Sequence, residues 1–278
     1  MSCWQSFQDY GLRSLGIGER LLPRGDAIDL CTQTALIGSG LLWNFYFLFF
    51  SVAIGFFCAV GLALMRNSTH VWLRWPAESF VFIFRGSPLF LQFFFAYSAL
   101  VLIPKTSLNL DLGFLELSAH TSWLSRAWLG ALLVLIMNTA AYSAEIFLGA
   151  MRAVPKGDVE AAYAFGMTPR QCFLRIVWPS MLRLAWPAYT NEVIFLFHAT
   201  TLVFLSSFPA WGRQVDALFY AQYFTKMTFN PFVAYPIIAG YFIVSTLLII
   251  ALFSSVNRIL NKHNAVKSKF KFNPRYLR

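Results

Sequence analysis

The sequence predicts an all-α integral membrane protein with five transmembrane helices, and three observations carry that prediction. The chain is 58% apolar and 18% aromatic, with only 12% charged residues and a mean hydropathy of +0.59. Ordinary soluble domains carry about twice that charged fraction. Five apolar stretches recur, each about long enough to cross the ~30 Å hydrocarbon core of a bilayer. Lysine and arginine cluster between these stretches and are almost absent within them. A net charge of +10 would suit a nucleic-acid partner. Placed in loops between apolar runs, it reads instead as the basic loops of a membrane protein, with no nucleic acid bound.

Residues 1–33 mix polar residues and glycine, with Arg13, Arg20 and Arg24 set against Asp9, Glu19, Asp26 and Asp29. They read either as a tail or as a short amphipathic helix on the membrane surface. The first apolar run, 34–65, holds no charge and exceeds a single span, so the helix is tilted or projects from the bilayer. It is also too long for the apolar region of a cleavable signal peptide. Residues 77–103 form the second run, broken at Arg85-Gly86-Ser87-Pro88. Proline removes a backbone donor there, and a break at membrane depth faces protein or water, not lipid. Arg85 is therefore a structural partner of a neighbouring helix or a lining residue of a solute path. A polar loop is expected over 104–122. Further spans follow at 122–148, 188–208 and 232–256, with a loop of about 22 residues before the last. The four cysteines, Cys3, Cys31, Cys58 and Cys172, include no C-x-x-C pair, which argues against a zinc or redox motif. His70, His120, His198 and His263 are scattered, and no metal site is expected.

Five spans place the termini on opposite sides. One side collects fourteen Lys and Arg and the other seven, with Arg85 inside the membrane. The positive-inside rule makes the richer side cytoplasmic. The N-terminal 1–33 is then external (periplasmic), the basic tail 257–278 cytoplasmic, and the long loop 149–187 cytoplasmic.

That loop is the polar exception in an apolar chain. Val154-Pro155-Lys156-Gly157 is a turn. Asp158 to Phe165 has helix-forming composition, with acids near the start where the helix dipole favours them. Gly166 ends it, Thr168-Pro169 starts another helix as cap and first residue, and Pro179 and Pro187 stop and restart the chain. The short helix offers Glu160, small Ala161 and Ala162, and the aromatic anchors Tyr163 and Phe165 to a partner. Alternatively it touches only lipid.

Glu160-Ala161-Ala162, followed by Gly166, Ile176 and Trp178-Pro179, resembles the EAA loop of bacterial ABC-importer permeases. The resemblance covers most of the chain. Arg85-Gly86-Ser87-Pro88-Leu89 with Gln92, the run Asn138 to Glu145, and the run Pro179 to Asn191 are similar to motifs of the polar amino acid subfamily. Trp178 stands where the family usually has Leu. His198-Ala199-Thr200-Thr201-Leu202 stands where many members have Lys-Asp-Thr-Ser-Leu, which resembles the permeases for histidine, other cationic amino acids and opines. The resemblance implies a type I importer permease fold over 34–256, a loop that couples to a separate pair of ATPase subunits through Glu160, Ala161, Ala162, Tyr163, Phe165 and Gly166, and a location in the bacterial inner membrane. It implies a second, different permease subunit and a periplasmic binding protein that delivers an amino acid. ATP and magnesium would sit on the ATPase partners, with no cofactor bound directly here, and this chain would be a transport subunit, not an enzyme.

No G-x-x-x-x-G-K-[ST] occurs, so the chain cradles no ATP itself. Asn191, Phe195, His198 and Leu202 share one helical face. With Arg85, Glu192 and Thr201 they are the candidates for a solute path. Glu192 is the carboxylate a cationic solute would seek. His198 either faces solute or hydrogen-bonds a neighbouring helix. Glu145 is expected near the cytoplasmic edge, opposite Arg152 or Arg183. A secondary transporter or channel for a small polar solute is the rival reading, but an odd span count with one long cytoplasmic loop fits inverted repeats poorly.

Overall fold

The computed structural model describes residues 2–101, 107–111, 116–120, 127–206 and 215–262. Of the loop cations in the charge asymmetry, Lys105, Arg126, Arg213 and most of the basic tail lie outside the described residues. The chain folds as a helical bundle. Helix α1 (Cys3–Tyr10) opens with a capping box between Ser2 and Gln5. After two 3-10 turns comes α2 (Leu30–Arg66), 37 residues long. At 1.5 Å per residue it measures about 55 Å, so it overshoots the hydrocarbon core as its sequence requires. Asp29 caps it, accepting from the Thr32 amide at 2.7 Å.

Helices α3 (Val71–Gly86) and α4 (Leu89–Val101) meet at 108° across Ser87-Pro88. The expected break is thus a sharp bend. Residues 107–120, expected as part of a polar loop, contain a small antiparallel hairpin of β1 (Ser107–Asp111) and β2 (Glu116–His120), in register from Ser107↔His120 to Asp111↔Glu116. Helix α5 (Ala127–Arg152) leads into the loop helices α6 (Lys156–Ala164) and α7 (Pro169–Cys172). A π-helical turn then runs straight into α8 (Trp178–Ala199). Pro179 and Pro187 do not stop the chain as expected. Pro179 lies in the first turn, where its missing N–H costs nothing, and Pro187 sits inside α8. The fourth apolar segment therefore begins about ten residues earlier than hydropathy suggests. A further helix, α9 (Ala217–Thr228), occupies part of what reads as a loop, capped by buried Asp216 at the Phe219 amide. The last helix is α10 (Pro231–Leu260).

Among the described residues α2, α5 and α10 are long and apolar enough to cross a membrane, and the bent α3–α4 pair makes a fourth crossing if counted as one. The main core lies between α2, α5 and α8, around fully buried Phe47, Phe93, Phe147 and Phe197. Gly55 lets α2 approach α5: a Cβ there would meet the Thr139 methyl at 2.5 Å.

A second core explains residues 2–29, which are neither a free tail nor a helix lying only on lipid. Tyr10 packs with Leu36, Ile37, Tyr220, Phe224 and Ile238. A Cys3–Cys31 disulfide, Cα atoms 5.1 Å apart, ties α1 to the start of α2. Arg13 is buried, yet every part of its guanidinium is engaged. Nε donates to the Glu19 carbonyl, Nη2 to the Arg20 carbonyl and Nη1 to the Tyr220 hydroxyl at 2.8 Å. Such satisfaction is what allows a buried cation to be kept. Composition alone does not reveal this cap, because one of Arg13's partners, Tyr220, lies 207 residues away.

Gly40 is where α2 touches the start of α9. An added Cβ would sit 2.6 Å from the Ala217 nitrogen and the Asp216 carbonyl carbon, both backbone atoms. Gly40→Ala should therefore destabilise the chain by about 1–3 kcal/mol, read as a lower midpoint of thermal unfolding in detergent. An unchanged midpoint would show that this contact relaxes freely.

Candidate functional site

Two places emerge, one on the 149–187 loop and one in a cleft at the α3–α4 break. On the loop, Pro155 precedes α6, Asp158 sits in its first turn, and Gly166 ends it with φ +76°. The Gly166 amide donates to the Tyr163 carbonyl at 2.9 Å and the Met167 amide to the Ala162 carbonyl at 3.1 Å. This pair of bonds is the Schellman ending, which needs a residue tolerant of positive φ. Glu160, Ala161, Tyr163 and Phe165 face outward, the last 85% exposed. Ala162 is buried, so it anchors α6 to the fold rather than meeting a partner. The capping box between Thr168 and Gln171 then fixes where α7 begins.

On the side of the bundle a cleft of about 900 Å³ opens at the α3–α4 break. Arg85, Glu192, His198 and Thr201 all line it, together with Ser87, Asn138, Tyr142, Phe195 and Leu202. Asn191 does not. It is exposed elsewhere, although Phe195, His198 and Leu202, which share its helical face, do line the cavity. His198 hydrogen-bonds a neighbouring helix, its Nε2 pairing with the Thr246 hydroxyl of α10 at 3.0 Å, and also lines the cavity.

The broken backbone is held by a polar network. Gln92 Nε2 donates to the Phe84 carbonyl at 2.8 Å, the Ser87 carbonyl at 3.0 Å and the Ser87 hydroxyl at 2.9 Å. Asn138 Nδ2 reaches Gln92 Oε1 at 3.4 Å. Carbonyls freed by a break within apolar surroundings need such donors. Neither Asn138 nor Tyr142 stood among the expected path residues, although both lie in the quoted 138–145 run, which was the available signal.

Glu145 has other partners than expected. Its Oε2 accepts from Arg66 Nη1 at 2.6 Å and from Arg85 Nη1 at 2.9 Å, not from Arg152 or Arg183. The ends of α2 and α3 converge on α5 at this level. Arg85 also lies over the Tyr142 ring, 5.4 Å from its centroid. A second cavity, about 490 Å³, is lined by Arg66, Glu78, Arg85, Tyr142 and Glu145. No group of three His, Cys, Asp or Glu able to hold a metal occurs among the described residues.

A helical bundle with several membrane-length apolar helices, and a cleft lined by Arg85, Glu192 and His198 at a broken helix pair, fits a membrane permease. The chain belongs to the family of binding-protein-dependent transport system inner membrane components, whose model matches residues 51–265. Membership makes it a transport subunit and not an enzyme. It is 35% identical over 233 residues to the histidine/lysine/arginine/ornithine transport system permease protein HisM of Salmonella typhimurium, covering 82% of this chain and 92% of that one. It is 41% identical over 153 residues to the octopine transport system permease protein OccM of Rhizobium meliloti, covering 55% of this chain and 59% of that one. A solved amino acid ABC transporter with histidines superposes with a TM-score of 0.66 at 27% identity, covering 83% of this chain and 98% of the other.

Proposed function

We propose that this chain is a permease subunit of an ATP-driven, binding-protein-dependent importer of cationic or polar amino acids (histidine, arginine, lysine, ornithine) or of opines. The observation that carries the reading is the cavity at the helix break, where Glu192 offers a carboxylate to a cationic solute. The relatives' substrates agree with it. In this reading α6 seats on an ATPase subunit, so that closure of the ATPase pair moves the bundle and switches the cavity's access. Two ATPase subunits, holding ATP and magnesium, a second and different permease, and a periplasmic binding protein complete the importer in the bacterial inner membrane.

The five-span reading counts α2, the bent α3–α4 pair, α5, α8 and α10, with the N-terminal cap periplasmic and the 149–187 loop cytoplasmic. The charge asymmetry supports that orientation, and so does the Cys3–Cys31 disulfide, since disulfides persist in oxidising compartments. In spheroplasts, Cys3 and Cys31 should take up a membrane-impermeant maleimide after reduction, while a Thr168→Cys probe should label only after permeabilisation. The opposite pattern would invert the topology.

Purification of the tagged chain from its native membrane tests the reading as a whole. An ATPase subunit and a second permease should accompany it, and radiolabelled arginine should bind the binding protein encoded with them. Purification free of any ATPase would favour a secondary transporter.

A further inference from the structure

We propose that Asn44 is a positioning residue that joins the N-terminal cap to the wall of the cleft, so that a load on the cap reaches residues facing the solute. The proposal rests on the reading of the cleft as the solute path, with the cap on the side from which the binding protein delivers.

Asn44 is the one amide side chain in the apolar run 34–65, and it is fully buried. Burying an amide in apolar surroundings is costly unless it is hydrogen-bonded. Both of its ends are. Its Oδ1 accepts from the Ala217 amide at 3.2 Å, and its Nδ2 donates to the Thr200 hydroxyl at 2.9 Å. A backbone amide can only donate, so the Ala217 contact fixes which end of the side chain carries the oxygen. The Thr200 hydroxyl, accepting from Nδ2, gives its own proton to the Phe197 carbonyl at 2.6 Å. Donor meets acceptor all along this line, and a satisfied buried network of this kind is rigid.

The two partners belong to different parts of the fold. Ala217 opens α9 and lies in the core of the cap with Tyr10, Leu36 and Tyr220. Thr200 follows α8 as its cap, in a stretch where Phe197 and Val203 belong to the main core. Gly40, one turn earlier on the same face of α2, admits the backbone of Asp216 and Ala217 because it has no Cβ. Ser14 of the N-terminal cap reaches the Val215 carbonyl at 3.2 Å. One stretch of α2 thus pins the cap, the start of α9 and the end of α8 together. Tyr241 and Phe242 of α10 pack against both cores, so losing the Asn44 link loosens this joint without parting the cores.

The far end of the line is the cleft. Ala199, Thr201 and Leu202, on either side of Thr200, line it. At Thr200 the α-helix gives way to a 3-10 segment, Thr200–Ser206, whose hydrogen-bond geometry is poorer than that of an α-helix. Such a segment holds its side chains less firmly by itself, and Asn44 supplies a hold from α2. Packed and hydrogen-bonded groups of this kind are what carry coupling between distant sites.

The test uses the complete importer in proteoliposomes, reading arginine uptake, and ATP hydrolysis with and without saturating loaded binding protein. Thr200→Val keeps the branched shape and removes the hydroxyl, leaving Asn44 Nδ2 unpaired. It should lower uptake, and the stimulation of hydrolysis by the binding protein, about tenfold, the size of one buried donor left without a partner, with basal hydrolysis unchanged. Thr200→Ser restores the hydroxyl and should recover most of both. Asn44→Ala should do at least as much harm as Thr200→Val, and the double variant no more than Asn44→Ala alone, because both changes break one link. Losses that multiply in the double variant overturn the proposal. So does a parallel fall of uptake and basal hydrolysis, the mark of a merely structural link. If Asn44→Ala does not assemble, the two Thr200 variants decide alone. Normal uptake by Thr200→Val beside impaired uptake by Glu192→Gln refutes the link and leaves the reading of the cleft standing. Normal uptake by Glu192→Gln refutes that reading, and the link with it.

Discussion

Glu160→Lys and Gly166→Asp should each leave the chain inserted and assembled while ATP-driven uptake falls at least about tenfold, the consequence of losing one contact worth ~2 kcal/mol at an interface. Glu160 is exposed on α6 and makes no ion pair among the described residues. Reversing its charge therefore disturbs little inside the chain and acts on whatever meets that face. Gly166 works differently. Space is no obstacle, since an added Cβ would meet nothing within 4 Å. The cost of aspartate is electrostatic as well as conformational: φ of +76° disfavours most L side chains, and a carboxylate at the C-terminal end of α6 opposes the helix dipole, which asparagine does not. The helix end then loosens, and with it the placement of Tyr163 and Phe165. Gly166→Asn is the control, because asparagine accepts this conformation and closes such helix ends; it should retain more uptake than an alanine at the same position. Rates of uptake and of ATP hydrolysis, measured together in proteoliposomes, separate uncoupling from misfolding. Normal uptake by both first variants would remove α6 from the coupling pathway.

Glu192→Gln should reduce uptake of a cationic solute by about tenfold or more with the binding protein saturated, so that delivery is not limiting. The amide keeps the size and hydrogen-bonding reach of the carboxylate and removes only its charge, worth about 1.5–3 kcal/mol in a charge-assisted contact. Asn191→Ala is the matched comparison. One position away on α8, Asn191 lies outside the cavity, and its loss should change uptake little. Equal effects at the two positions would mean that α8 is sensitive to any substitution and that the cavity has no special part. A normal rate for Glu192→Gln would mean that selection rests with the binding protein alone.

What could be read from the sequence is what neighbouring residues decide among themselves. Length and hydropathy of 34–65 and 232–256 specify α2 and α10, because apolar residues that cannot face water must be helical to satisfy their backbone in lipid. Gly166 and Thr168-Pro169 mark helix ends through bonds that reach at most five residues along the chain. The break at Gly86-Ser87-Pro88 was legible for the same reason, though its 108° bend was not. Tertiary structure decided the rest. α9 is capped by Asp216 and buried against α2, but its polar residues conceal it from a hydropathy profile. Arg13 reads as a tail charge until Tyr220 is placed beside it. Glu145 finds Arg66 across 79 residues, instead of the nearer Arg152. Asn191 shares a helical face with Phe195, His198 and Leu202 and so reads as a path residue, yet in the bundle Glu192 lines the cavity and Asn191 does not. Local chemistry sets where a helix starts and stops; which charges meet, and which carboxylate faces an open cavity, depends on packing between segments far apart in sequence.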